Sequence, residues 1–193
     1  MRSERRVAKL TQVLRQRQPD LTVVMENIHD PHNVSAMLRS SDAAGVLQVQ
    51  LLYTTEQFPR IGKKSSASAG KWVERRKFQA VDECYSTLRK EGFKIYATHL
   101  TEQSVSLYDI DLTGKVAIVF GNEHRGVSEG AANAADVNVR IPMVGMIQSL
   151  NVSVACAITL FEAVRQRLRQ GHYDRPKFSE RVLETMVEEW LKK

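Results

Sequence analysis

The chain has 193 residues, 42% of them hydrophobic and 26% charged, with a formal net charge of +6. This balance excludes a disordered chain, and no apolar run approaches the roughly 20 residues that cross a bilayer. Two cysteines, Cys84 and Cys156, exclude a disulfide framework and a zinc cluster.

The first segment, residues 1–17, sets Val7, Leu10, Val13 and Leu14 as an apolar stripe between basic residues. It reads as an amphipathic helix ending near Gln18 and Pro19. Its arginines have some flavour of a mitochondrial transit segment, but no cleavage-type boundary follows and no secretion signal is present, so a cytoplasmic protein is expected. Residues 21–28 read as a buried strand, followed by the turn-rich 29–33 and a helix over 34–44 that Gly45 ends. Residues 46–53 form a second strand, and a right-handed crossover joins the two. Residues 54–77 mix Pro59, Gly62, a Ser/Ala run and Trp72 without a clear period. A helix over 80–91 leads to a strand over 93–100, and 101–114 reads as loop. Residues 115–121, KVAIVFG, form another buried strand before a glycine-bounded loop and a short helix over 128–135. The last strand, 137–143, runs into IPMVGMIQSLNVSVACAITLFEA at 141–163, where an irregular turn meets a long helix with Ser149, ahead of Asn151, as the expected N-cap. After a break at 171–176, Ser179 is expected to cap a final amphipathic helix. The alternation predicts one α/β domain over 1–193, a largely parallel sheet flanked by helices. Peripheral helices lie at 1–18 and 172–193 around a core over 19–171.

The charge is segregated. Residues 1–17 carry six basic side chains against one acid, and residues 60–77 carry seven against one, which leaves 15 basic against 20 acidic residues elsewhere. Two concentrated basic segments on an acidic body suit the binding of a phosphate backbone, the competing reading being a generic basic surface.

Familiar catalytic motifs are missing. Gly121–Ser128, GNEHRGVS, has the glycine spacing of a P-loop but Val127 where its lysine belongs. No G-x-G-x-x-G follows a strand, no nucleophile elbow occurs, and His29, His32, His99 and His124 are too scattered to predict a metal. Three loops then remain at the carboxyl ends of strands, where open α/β sheets bind ligands: 30–33, 121–126 and 144–150. Asn33 could be no more than an N-cap, and Arg39 no more than a solvated arginine.

Three strings bear a resemblance. N33-V-S-A-M-L-R39, IVFGNEHRGVS over 118–128 and IPMVGMIQSLNVSVA over 141–155 resemble, in order, the three signatures of the SPOUT superfamily's ribose 2′-O-methyltransferases, the TrmH family. The likeness extends to RQPDLTV at 17–23 and GHYDRP at 171–176, and it is closest to the branch that methylates guanosine 18 in the tRNA D-loop. It implies a homodimer with a C-terminal trefoil knot that transfers a methyl group from S-adenosylmethionine to a ribose hydroxyl, with no metal. Arg39, Asn33, Glu123, Ser149 and Asn151 match the family's catalytic or site-shaping positions. Thr98, Gly121, Ile141, Ser149 and Leu150 match positions around the donor. Under this reading the basic segments grip tRNA phosphates through Arg2, Arg5, Arg6, Lys9, Arg15, Arg17, Lys63, Lys64, Lys71 and Arg75. Trp72 is either a structural plug or a base-stacking surface. The rivals are an rRNA methyltransferase of the same fold, disfavoured because the first strand begins too early for an added RNA-binding domain, and a non-catalytic RNA-binding factor.

Overall fold

Strand β1 (Leu21–Glu26) is buried at every position, as a central strand covered on both faces must be. The structure, a computed structural model, describes residues 4–59 and 69–193. Around β1 lie β2 (Gln48–Leu52), β3 (Glu74–Phe78), β4 (Lys94–Thr98), β5 (Val105–Ser106), β6 (Val116–Phe120) and β7 (Val137–Arg140). They form one sheet in the order β3-β2-β1-β6-β4-β7-β5, and every neighbouring pair is parallel. All strands therefore share a carboxyl edge, and the loops that follow β1, β6 and β7 emerge together there.

Side chains alternate between the two faces. Val23, Met25, Ile118 and Phe120 join one apolar cluster with α2 (Pro31–Ala43) and α6 (Val152–Arg169). Val24, Ala117 and Val119 join another with α4 (Val81–Lys90) and α5 (Glu129–Ala134). Cys84 and Cys156 are buried free thiols, one in each cluster, and burial pushes both thiols up, that of Cys84 to about 12. A third cluster joins α1 (Glu4–Arg15) to α7 (Glu180–Trp190) through Leu10, Leu14, Leu183, Val187 and Trp190. No helix among the described residues is long and apolar enough to cross a membrane.

Several local expectations are corrected. Ser149 does not cap α6. Asn151 does, its side-chain oxygen accepting from the N–H groups of Ser153 and Val154. Asp30 caps α2, with Pro31 at its first turn, so Asn33 lies inside the helix. Ser179 occupies the N-cap position of α7 but makes no capping hydrogen bond. Residues 74–78 form a strand within the stretch that showed no period, preceded by a turn of helix, α3 (Ala69–Trp72), and the loop expected over 101–114 contains β5.

Candidate active site

The three carboxyl-edge loops are bonded to one another through side chains. Glu123, after β6, accepts through Oε1 from Asp30 N and Asn33 Nδ2, and through Oε2 from His29 N, each at 3.0 Å. Asn33 Oδ1 in turn accepts from Asn151 Nδ2 at 3.1 Å. One chain of contacts thus runs from the β6 loop through α2 to the cap of α6, placing Glu123, Asn33 and Asn151 side by side. Burial alone would raise the Glu123 carboxyl, but Asn33 and the two backbone donors outweigh it and hold the group below its ordinary value.

A second layer, which the sequence reading missed, fixes those loops from below. Asn27 sits at φ +50°, a left-handed conformation that asparagine tolerates. Its Oδ1 accepts from the N–H groups of Thr54, Thr55 and Glu56, while its carbonyl accepts from Asn122 Nδ2 at 2.8 Å. Asn122 Oδ1 turns back to the N–H groups of His124 and Arg125. Glu26 accepts from the N–H and hydroxyl of Ser128, and Glu56 pairs with Arg125 at 2.7 Å. The available signal was the polar pair Glu26-Asn27 ending a buried apolar strand at its ligand-facing edge. At Gly121 an added Cβ would lie 2.0 Å from Val127 N, so the absence of a side chain is required by closure of the loop on itself.

Beside this network lies a segment with little internal bonding. Among the described residues, no backbone group from 143 to 150 has a hydrogen-bond partner. Val144, Met146 and Ile147 are exposed, as is Ser149. Such a loop offers free N–H and C=O groups with apolar side chains between them, a donor set that fits a nucleoside carrying a short charged tail. Ile141 is half-buried and Leu150 exposed at its two ends. Thr98 stands at the end of β4, with its hydroxyl already donating to Val119 O at 2.8 Å.

Arg39 is not in this cluster. It lies six residues beyond Asn33 on α2, about 9 Å along the axis and about 120° around it. It is exposed and, among the described residues, has no hydrogen-bond or ion-pair partner. Of the cations expected to meet RNA, Arg5, Arg6, Lys9, Lys71 and Arg75 are exposed. Arg15 pairs with Glu180 at 2.8 Å. Arg2, Lys63 and Lys64 lie outside the described residues. Arg17 is a correction: it is fully buried, bonded to Asp42, Val46 O and Trp72 O, and its guanidinium lies 5.1 Å from the Trp190 ring centroid. It cannot touch RNA without leaving the core. Trp72 packs against Trp190 at 5.1 Å between centroids with the rings tilted by 45°, the contact of a structural plug. No group of three or more His, Cys, Asp or Glu among the described residues is placed to hold a metal ion.

Comparison with known proteins matches this arrangement. Residues 20–161 match the model of the SpoU rRNA Methylase family. A tRNA (guanosine(18)-2′-O)-methyltransferase of Thermus thermophilus is 46% identical over 192 residues, spanning 100% of this chain and 98% of that one. The crystal structure of the A. aeolicus TrmH/SpoU tRNA modifying enzyme superposes with a TM-score of 0.91 at 38% identity, covering 98% of this chain and 96% of that one. An AdoMet-bound rRNA methyltransferase from Sinorhizobium meliloti gives 0.61 at 26% identity, over 80% of this chain and 59% of the other. A model match over most of the chain, near full-length relatives and a shared fold all lead to one assignment: the chain belongs to the SpoU rRNA methylase family.

Proposed function

We propose that this protein is an S-adenosylmethionine-dependent tRNA ribose 2′-O-methyltransferase that acts on guanosine 18 of the D-loop, as a cytoplasmic homodimer with a C-terminal knot. The observation that carries this reading is the Glu123–Asn33–Asn151 chain, intact beside an open 143–150 loop in a protein aligned end to end with an enzyme of that name.

When bound, S-adenosylmethionine supplies a methyl group on a positively charged sulfur. The chain's own residues do the rest. Free backbone groups between Ile141 and Leu150 hold the donor, with Thr98 and Gly121 shaping the floor and Ser149 facing the open side. Glu123 directs its charge to the N–H groups of His29 and Asp30 and to Asn33, which fixes the start of α2. Asn33 and Asn151 then orient the ribose. A ribose hydroxyl is a poor nucleophile, so alignment and help with its proton set the rate. Arg39 stays protonated and orients the hydroxyl and the adjacent phosphate, with proton removal shared by that phosphate.

The Arg39 side chain is exposed and bonded to none of its own chain's described residues, which supports a site completed by a second copy. The surface of α6 supports it too: Val154, Phe161 and Leu168, seven residues apart on one stripe, are 45%, 52% and 58% exposed. The knot is supported by the position of β7, which enters the sheet between β4 and β5 although both precede it in the chain. Basic residues of α1 and of the 69–77 segment serve the tRNA backbone.

The test is to incubate the protein with unmodified tRNA transcripts and methyl-labelled donor and to map the product. Label in the ribose of guanosine 18 is expected. Label on a base, or transfer to rRNA fragments alone, overturns the assignment.

A further inference from the structure

We propose that the groove between the 70–75 segment and Lys193 is a binding site for one phosphodiester of the RNA backbone, with Lys193 as a contact; this rests on the tRNA methyltransferase reading above. The groove has a volume of about 500 Å³ and is lined by Gly70, Lys71, Val73, Glu74, Arg75 and Lys193. Three basic residues, Lys71, Arg75 and Lys193, thus line it with one acidic side chain, Glu74, and the α-carboxylate of Lys193. Glu74 lies within 3.5 Å of Gln48 Nε2, which donates to it, so part of its charge is turned toward the sheet. Gly70 leaves one wall without a side chain.

Two distant parts of the chain meet in this groove, and the aromatic pair makes them meet. Trp72 packs against Trp190, and the Lys193 ammonium lies 5.2 Å from the centroid of that same indole. The Lys193 N–H donates to Trp190 O at 3.2 Å, continuing the last turn of α7. Beneath them Arg17 ties Trp72 O to Asp42 and stacks against Trp190. Lys71 and Lys193 are therefore carried on one rigid joint, whereas two lysines on mobile ends would lose more side-chain entropy on gripping a phosphate.

The location sets this phosphate apart from the reacting one. Trp72 and Glu74 precede the body of β3, so the groove opens at the amino edge of the sheet, at least one strand length, about 17 Å, from the carboxyl-edge loops of the same chain, which also lie two or more strands to the side. A phosphate held there does not reach those loops, and its capture adds affinity and register without touching the reacting atoms.

The experiment measures tRNA binding by the full chain at a series of salt concentrations. Removing one cation that pairs with a phosphate should lower the slope of log Kd against log salt by about one. Lys193→Gln and Lys71→Gln are each expected to weaken binding and reduce the slope by part of that amount, because the other lysine still faces the phosphate. The double variant should lose the full amount, about one, because both lysines grip one phosphate. Lys193→Arg should keep the wild-type slope, which separates charge from folding. Lys90→Gln, an exposed lysine at the end of α4, serves as the reference and should leave the slope unchanged. If Lys193→Gln keeps the wild-type slope, or loses no more than Lys90→Gln, the groove is not a phosphate site. If the wild type itself binds no tRNA, the tRNA reading has failed and this inference with it.

Discussion

At the scale of single residues, Glu123 is an anchor for the backbone that opens α2. Its two oxygens accept three hydrogen bonds, and those donors lower its pKa against the opposing effect of burial. A carboxyl whose folded value lies below its unfolded one stabilises the fold fully above the ordinary value of about 4.5. That contribution is then lost as pH falls through the lowered value. Glu123→Gln should therefore be less stable than the wild type at neutral pH, by about 1.5–3 kcal/mol for the loss of charge-assisted bonds, and the gap should close under acid conditions. Thermal unfolding of both proteins between neutral and acid pH checks this, and a gap that widens on acidification would contradict it. Arg39 predicts the opposite pattern. With no partner within the described chain, its removal costs little stability. Arg39→Ala should abolish methylation while calorimetric binding of S-adenosylmethionine stays near wild type. Turnover at the normal rate would remove Arg39 from the mechanism.

At the scale of elements, α6 begins where the 143–150 loop ends, and Asn151 does two tasks there. Its oxygen satisfies the first N–H groups of the helix while its amide donates to Asn33. Asn151→Ser keeps a capping oxygen but loses the amide. It should therefore retain most of the stability that Asn151→Ala gives up, about 1 kcal/mol, while both variants lose activity alike. Comparing melting temperatures with methylation rates for the pair separates cap from site, and an active Asn151→Ser would show that the link to Asn33 is dispensable. The same helix start shows how far the sequence could be read. Buried strands such as LTVVME and VAIVF were legible because an apolar run bounded by turn residues has few other uses. The identity of the α6 cap was not, since Ser149 and Asn151 are both good caps and only the path of the loop decides between them. Strand β3 was hidden because ERRKF, at the sheet's edge, carries charge where a central strand carries apolar residues. Arg17 misled for a related reason. Charge counted along a chain does not reveal which guanidinium turns inward, and the partners that hold it inside, Asp42, Trp72 and Trp190, are far apart in sequence.

At the scale of the whole molecule, the proposed reaction needs groups that one chain does not bond together. The loops proposed to bind the donor and orient the ribose lie at the carboxyl edge of the sheet, whereas Arg39 is exposed on α2 and makes no hydrogen bond or ion pair with their described residues. An apolar stripe on α6 is left uncovered by the same chain. A twofold pairing through that stripe would bring the arginine of one copy to the loops of the other, and it would do so twice. A self-sufficient monomer could not show the behaviour that follows. Arg39→Ala and Asn151→Ala should each be inactive as pure proteins. In a hybrid of the two, the site that combines Asn151 from one copy with Arg39 from the other is intact. Random reassortment puts half of the dimers in hybrid form with one sound site out of two, so the mixture should recover about a quarter of wild-type activity. Mixing after dissociation, then assaying methyl transfer to tRNA, tests this directly. Phe161→Glu places a charge in the middle of the stripe, so it should yield a monomer in sedimentation and block the recovery when introduced into both partners. If the two inactive proteins stay inactive when reassorted into proven hybrids, Arg39 works within its own chain, and α2 must then turn toward the loops when tRNA binds.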